Sequence, residues 1–129
     1  VTAPRSIGLS PNMYKRPARL LVAARTDDGR ADTVARLAHE HDLARWLEIR
    51  TAASMEKLRW DDLEWADLLV AVDGEAAGAV PTKRPETCRL KRWHLPEAGS
   101  PSLEVAVASA LSCMAGGMRM LARLDADER

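Results

Sequence analysis

Residues 20–40 read LLVAARTDDGRADTVARLAHE, an apolar run that passes through a short polar loop into helical spacing. The run RLLVAA, residues 19–24, is short, continuous and apolar, the pattern of a central parallel strand buried on both faces. From Ala31 the positions Val34, Leu37, Ala38 and His41 recur on one helical face, with Arg36 and Glu40 outward. A strand, a loop and a helix in this order build many phosphate cradles, because backbone N–H groups converge at the helix amino terminus. Here, however, the loop carries Asp27 and Asp28, two carboxylates where an anion would sit.

The flanking sequence extends the alternation of strand and helix. RWLEIRT sets Leu47 and Ile49 against Glu48 and Arg50, which predicts a second strand near a sheet edge. MEKLRWDDLEWA spaces Met55, Leu58, Leu63 and Ala66 for short helical turns before DLLVAV, a third strand closed by Asp73-Gly74. EAAGAV predicts a helical turn stopped by Pro81, and CRLKRW a fourth strand with Leu90 and Arg92 facing away from Lys91 and Trp93. The last helix has Ser100 as its cap, Pro101 in its first turn, and a stripe of Leu103, Val107, Leu111, Met114, Met118 and Leu121. Gly116-Gly117 either weakens this helix or lets another element pack closely.

This order predicts an α/β fold of three layers, α/β/α, around a four-stranded parallel sheet with right-handed crossovers. In such sheets ligands gather beyond the carboxyl ends of the strands, where the loop after the first strand lies. Residues 1–18 hold three prolines and no apolar period, so they predict an irregular arm, with a single domain over residues 19–129.

Lys+Arg and Asp+Glu both number 19 in the 129 residues, and a net charge of zero argues against a general nucleic-acid binder. Arg5, Lys15, Arg16, Arg19 and Arg25 all precede the first acid, Asp27, so the amino-terminal end is basic. No uninterrupted apolar run reaches the roughly 20 residues of a membrane span, and the amino-terminal end lacks the apolar core of a secretory signal. The expectation is a cytoplasmic chain with no membrane association. Cys88 and Cys113 are too few for a disulfide framework and are not spaced as a metal pair, which predicts reduced, partly buried thiols. His39 and His41, two apart on a helix, face different ways and predict no shared metal. Trp60, Trp65 and Trp93 are expected in the core or at its rim, Trp60 being placed to line a recognition surface as well. Cys113 and the cluster of Met114, Met118 and Met120 are expected to be packed.

With these residues in view, the chain resembles the low-molecular-weight protein tyrosine phosphatases and the related arsenate reductases from about Arg19 to Leu124. In that family the first strand ends in a loop of pattern C-x5-R-S, whose Cys attacks phosphorus while the Arg and the loop amides hold the phosphoryl oxygens. Setting Arg30 on the family Arg puts Ala24 at the nucleophile position and Ala31 at the Ser position. LEIRTAAS is similar to the family's second strand and following turn, and DLEWADLLVAVD to the strand that ends in Met-Asp. KRWHLPEAG looks like the loop that supplies the general acid, with Glu97 at the Asp position and Ala98 replacing the Pro.

The resemblance implies a low-molecular-weight phosphatase-like fold without its chemistry, a pseudoenzyme. Displacement at phosphorus needs a thiolate, and Ala24 offers a methyl group. Thr26 carries a hydroxyl within the turn, with no evident base beside it. The implied anion-binding residues are Arg25, Thr26, Asp27, Asp28, Gly29 and Arg30, with His94 and Glu97 at the rim; no cofactor or metal is implied. The implied ligands are phosphate, sulfate or a phosphorylated protein; the other reading is an interaction domain with a vestigial loop. Arg30 either forks onto an oxyanion or is taken by Asp27 or Asp28 in an internal ion pair. Asp27 could also adopt the left-handed backbone that a tight loop needs. RTDDGRADTVARL is similar as well to the phosphate loop of flavodoxin-like flavin domains through Thr26, Gly29 and Thr33, which leaves a flavin-binding domain as an alternative, beside a residual phosphatase with an unrecognised nucleophile.

Overall fold

Four strands form one sheet: β1 (Ala18–Ala23), β2 (Leu47–Thr51), β3 (Leu68–Ala71) and β4 (Arg89–Arg92), all parallel and in spatial order β2-β1-β3-β4. The structure, a computed structural model, describes residues 16–127. Most of the expected amino-terminal arm, residues 1–15, therefore lies outside the described residues. The helices are α1 (Arg30–Glu40), α2 (Trp60–Trp65), α3 (Gly74–Gly78) and α4 (Leu103–Asp127), with a 3-10 turn at Met55–Lys57. This is an α/β fold with an all-parallel sheet. α1 and α4 pack against each other on one face, and right-handed crossovers in this strand order carry α2 and α3 to the other.

The burial of each strand follows its place in the sheet. β1 and β3 are central, and Leu20, Val22, Leu69 and Val70 are completely buried, as a strand covered on both faces requires. β2 is an edge strand and alternates, with Leu47 buried while Glu48 and Arg50 are exposed. The other edge, β4, is polar along its length, apart from the half-buried Leu90; Trp93, just beyond it, turns into the core. Charged edges of this kind discourage pairing with another sheet. In α1 the buried residues are Arg30, Ala31, Val34, Leu37 and Ala38, whereas His41 is exposed at the carboxyl cap. The helix ends there because Asp42 takes up the left-handed conformation, with φ 53°.

α4 buries Leu103, Val107, Leu111, Ala115 and Met118, a stripe close to the expected one but with Ala115 in it and Met114 and Leu121 half-exposed beside it. Cys113 and Met120 are exposed, contrary to the packed positions that their side-chain chemistry suggested. Gly116 and Gly117 face open space, with nothing within 4 Å of where a Cβ would stand, so no neighbour approaches them closely. α4 contains an 18-residue window of mean hydropathy 1.5 and is, by length and composition only, long and apolar enough to cross a membrane. Of that window 22% is buried, and the helix packs against α1.

At the amino ends of the strands Asp67, which immediately precedes β3, is almost wholly buried. Its carboxylate accepts both arms of the Arg16 guanidinium, at 2.7 and 2.9 Å, and the backbone N–H of Arg19 at 2.9 Å. Its own N–H donates to the Arg19 carbonyl, and its carbonyl accepts from Arg89, so one residue ties β1, β3 and β4 together. The last residues of the expected arm are thus part of the domain. Replacing Asp67 with Ala strands the Arg19 N–H and frees Arg16, and should cost about 2 kcal/mol, the scale of buried hydrogen bonds to a charged group. Urea unfolding of Asp67→Ala against the parent chain measures that loss.

Candidate functional site

All four strands run the same way, so the loops that follow them meet at one end of the sheet. β1 leads to α1 and back to β2 on one side, while β3 leads to β4 on the other. The chain direction therefore reverses between β1 and β3, which opens the crevice where ligands bind in sheets of this kind. Arg30 follows β1 and Asp73 follows β3, and the two side chains meet across this crevice, with Arg30 Nη2 2.6 Å from Asp73 Oδ2.

The loop reaches that point through a set of backbone ties. Ala24, buried just past the strand, gives its carbonyl to the N–H of Met55 at 2.8 Å, which anchors the loop to the segment after β2. Residues 25–29 are exposed. Gly29 has φ 88° and makes the left-handed turn into α1; among the described residues the non-glycine with positive φ is Asp42, so Asp27 does not supply that turn. The Gly29 carbonyl then accepts the N–H and the hydroxyl of Thr33, at 3.0 and 3.1 Å.

Arg30 is the centre of the arrangement and is only 7% exposed. Its Nε donates to Asp28 Oδ2 at 2.9 Å, and its Nη2 lies 2.8 Å from the same oxygen as well as beside Asp73. Its Nη1 points to the carbonyls of Pro96 and Leu95, at 3.3 and 3.5 Å. Every nitrogen of the fork has an acceptor. Asp28 closes the ring by accepting the Arg30 backbone N–H on Oδ1 at 3.1 Å. Of the two loop acids Asp28 is thus the one that turns inward, while Asp27 stays exposed.

Asp73 serves two elements, with Oδ2 on Arg30 and Oδ1 accepting the N–H of Ala76 to cap α3. Burial disfavours its charge, but the Ala76 N–H and then Arg30 outweigh burial and hold the carboxyl below its ordinary range. For Arg30 burial likewise opposes the charge, and Asp28 and Asp73 more than compensate, so the guanidinium sits above its usual value.

The remaining expected site residues lie around this knot without joining it. Arg25 is exposed and 3.7 Å from Glu56, and Thr26 is exposed in the loop. Glu97 is exposed; its carbonyl accepts the N–H of Ser100. His94 is exposed and its side chain faces the α4 side of the sheet; the segment it belongs to reaches Arg30 through the Leu95 and Pro96 carbonyls. His39 and His41 are exposed. Trp93 is buried, Trp65 is half-buried beneath the Arg50 guanidinium at 4.1 Å, and Trp60 is half-exposed.

Neither thiol is among the groups that hold Arg30. Cys88 is buried at the start of β4, near Arg84 and Asp67, at the opposite end of the sheet, and burial pushes its thiol up. A protonated, enclosed sulfur of this kind is a poor nucleophile. In the crevice two carboxylates, Asp28 and Asp73, face the single Arg30 guanidinium, a balance that disfavours a further anion there.

No family model and no curated protein matches this chain. The crevice itself therefore carries what can be inferred about function. Its least expected member is Asp73, which the sequence showed only as the residue closing the third strand. The available signal was its position, the first polar residue after an apolar strand on the same edge as the Arg30 loop.

Two expectations follow from the knot. Arg30→Ala leaves Asp28 and Asp73 facing each other with no cation and should destabilise the domain by about 3 kcal/mol, the low end for breaking a buried pair. Arg30→Lys, which keeps the charge but loses the fork, should fall between the two in denaturant unfolding. Because folding lowers the Asp73 pKa, its stabilising contribution is complete at neutral pH and is lost as the pH falls below about 4. Urea midpoints at about pH 7 and pH 3 should therefore differ less in Asp73→Asn than in the parent chain.

Proposed function

We propose that this chain is a low-molecular-weight phosphatase-like domain that has lost its chemistry and acts as a non-catalytic interaction domain. The observation that carries the proposal is the occupation of Arg30. In a phosphatase the equivalent fork must be free to take phosphoryl oxygens, whereas here Asp28, Asp73 and two carbonyls use all three of its nitrogens. Asp28 holds the guanidinium in the way a bound oxyanion would. An incoming phosphate would have to displace that carboxylate and enter a field of like charge.

The strand order β2-β1-β3-β4 and the loop between β1 and α1 support the phosphatase-like reading of the fold. Ala24 and Ala31 support the loss of chemistry, since neither offers a nucleophile or a hydroxyl, and both are buried. Glu97 is exposed and keeps the position of a general acid with no leaving group to protonate. The flavin alternative draws less support, because residues 73–80 after β3 bring no aromatic ring to stack on an isoalloxazine.

Isothermal calorimetry of the full chain with phosphate, sulfate and a phosphotyrosyl peptide should give no saturable heat, and an aryl phosphate should not be turned over between about pH 5 and pH 8. Saturable binding that disappears in Arg30→Lys would replace the closed crevice with an anion receptor. Turnover that falls in the same variant would restore an enzyme.

A further inference from the structure

β4 closes one edge of the sheet and is hydrogen-bonded to β3 alone. In a parallel ladder the N–H and C=O of one residue point to the same side and those of the next residue to the other. Arg89 and Trp93 donate their N–H groups to the carbonyls of Asp67 and Ala71. The backbone of Leu90 and Arg92 therefore faces outward, where it meets no hydrogen-bond partner among the described residues. An edge left open in this way is a template for one more strand.

The charge along this edge has one sign. Residues 83–92, KRPETCRLKR, hold Lys83, Arg84, Arg89, Lys91 and Arg92 against the single acid Glu86. Lys83, Arg89, Lys91 and Arg92 are exposed, and among the described residues none of their side chains has an ion pair or a hydrogen bond. Asp67, at the amino end of the neighbouring strand, is already taken by Arg16. The opposite edge differs. On β2, Glu48 lies 3.9 Å from Arg19 and the Arg50 guanidinium sits over Trp65 at 4.1 Å, so its charges are mixed and engaged. Any charge guards an edge against pairing with its own kind, whereas a row of unpartnered cations also selects an acidic strand.

A hollow of about 330 Å³ opens at the amino end of β4, with Arg84, Glu86 and Arg89 in its wall. Arg84 donates from Nη1 to the Pro81 carbonyl at 2.9 Å, but its Nε is enclosed and has no acceptor. Glu86 pairs with neither arginine. An enclosed donor left unmet is costly, and a carboxylate seated against Arg84 offers the missing acceptor.

We infer that the β4 edge receives an acidic peptide segment as a further strand, its backbone on Leu90 and Arg92 and its carboxylates among Arg84, Arg89, Lys91 and Arg92. Alternation along β4 sets Arg89 and Lys91 on one face and Arg92 on the other, so carboxylates on either face of the added strand meet a cation. The open backbone favours a peptide over a nucleic acid, and Trp93, the aromatic ring of this segment, is buried and cannot stack on a base. This deepens the interaction reading by naming the chemistry of a partner, on residues that take no part in holding Arg30.

A fluorescent peptide of about ten glutamates should bind the full chain saturably by anisotropy, and less tightly as salt is raised. In nuclear magnetic resonance the amide protons of Leu90 and Arg92 should exchange freely without the peptide and become protected with it. Lys91→Glu with Arg92→Glu should weaken binding by roughly tenfold and Arg84→Ala by roughly threefold, with the urea midpoint of the double variant unchanged because both side chains are exposed. No saturable binding, or binding that leaves those two amides exchanging as before, overturns the inference. A single-stranded oligonucleotide of equal charge that binds as tightly overturns it in favour of a nucleic-acid surface. Phosphate binding or aryl phosphate turnover by the same chain would instead remove the interaction reading, so the two failures are told apart.

Discussion

The guanidinium of Arg30, held between Asp28 and Asp73, is the interaction on which the carboxyl end of this domain depends. A parallel sheet gathers all its following loops at one edge and leaves a gap where the chain direction reverses. Here a cation from the β1 side and a carboxylate from the β3 side close that gap. Burying a guanidinium is costly, and the cost is met only because each nitrogen finds an acceptor. The fork of Arg30 holds the protein's own loops together.

The amino end of the sheet repeats the device. Asp67 precedes β3 and takes the fork of Arg16, which precedes β1; Asp73 follows β3 and takes Arg30, which follows β1. The two central strands are thus pinned at both ends by an arginine from the β1 side and an aspartate from the β3 side. Between the pins lie Leu20, Val22, Leu69 and Val70, with no polar atom in their side chains. The apolar centre gives the sheet its free energy and the ionic ends fix how its two middle strands sit.

Periodicity along the chain was enough to find the strands and helices, because burial on two faces, burial on one, and helical burial each leave a different spacing. The loop after β1 was legible as the site, and Asp28 was one of its two named candidates for pairing with Arg30. Asp73, Asp67, and the Leu95 and Pro96 carbonyls were not, since each partnership joins residues far apart in sequence that only the sheet brings together. Cys113 and Met120 were misjudged for a related reason. Side-chain chemistry says that a residue tolerates burial, but whether anything covers it depends on the number of helices laid on that face.

The central position of β1 has a consequence for how the chain acquires its structure. Ala18 pairs with Leu47 and Leu20 with Leu68, so β1 lacks both of its neighbours until these later stretches of sequence have emerged. Loop closure must come before any reward from these contacts, which places the domain among topologies that assemble late and all at once. A nascent chain therefore carries Leu20, Leu21 and Val22 unpaired until β2 and β3 have emerged, and their protection in that interval falls to whatever shields exposed strands in the cell.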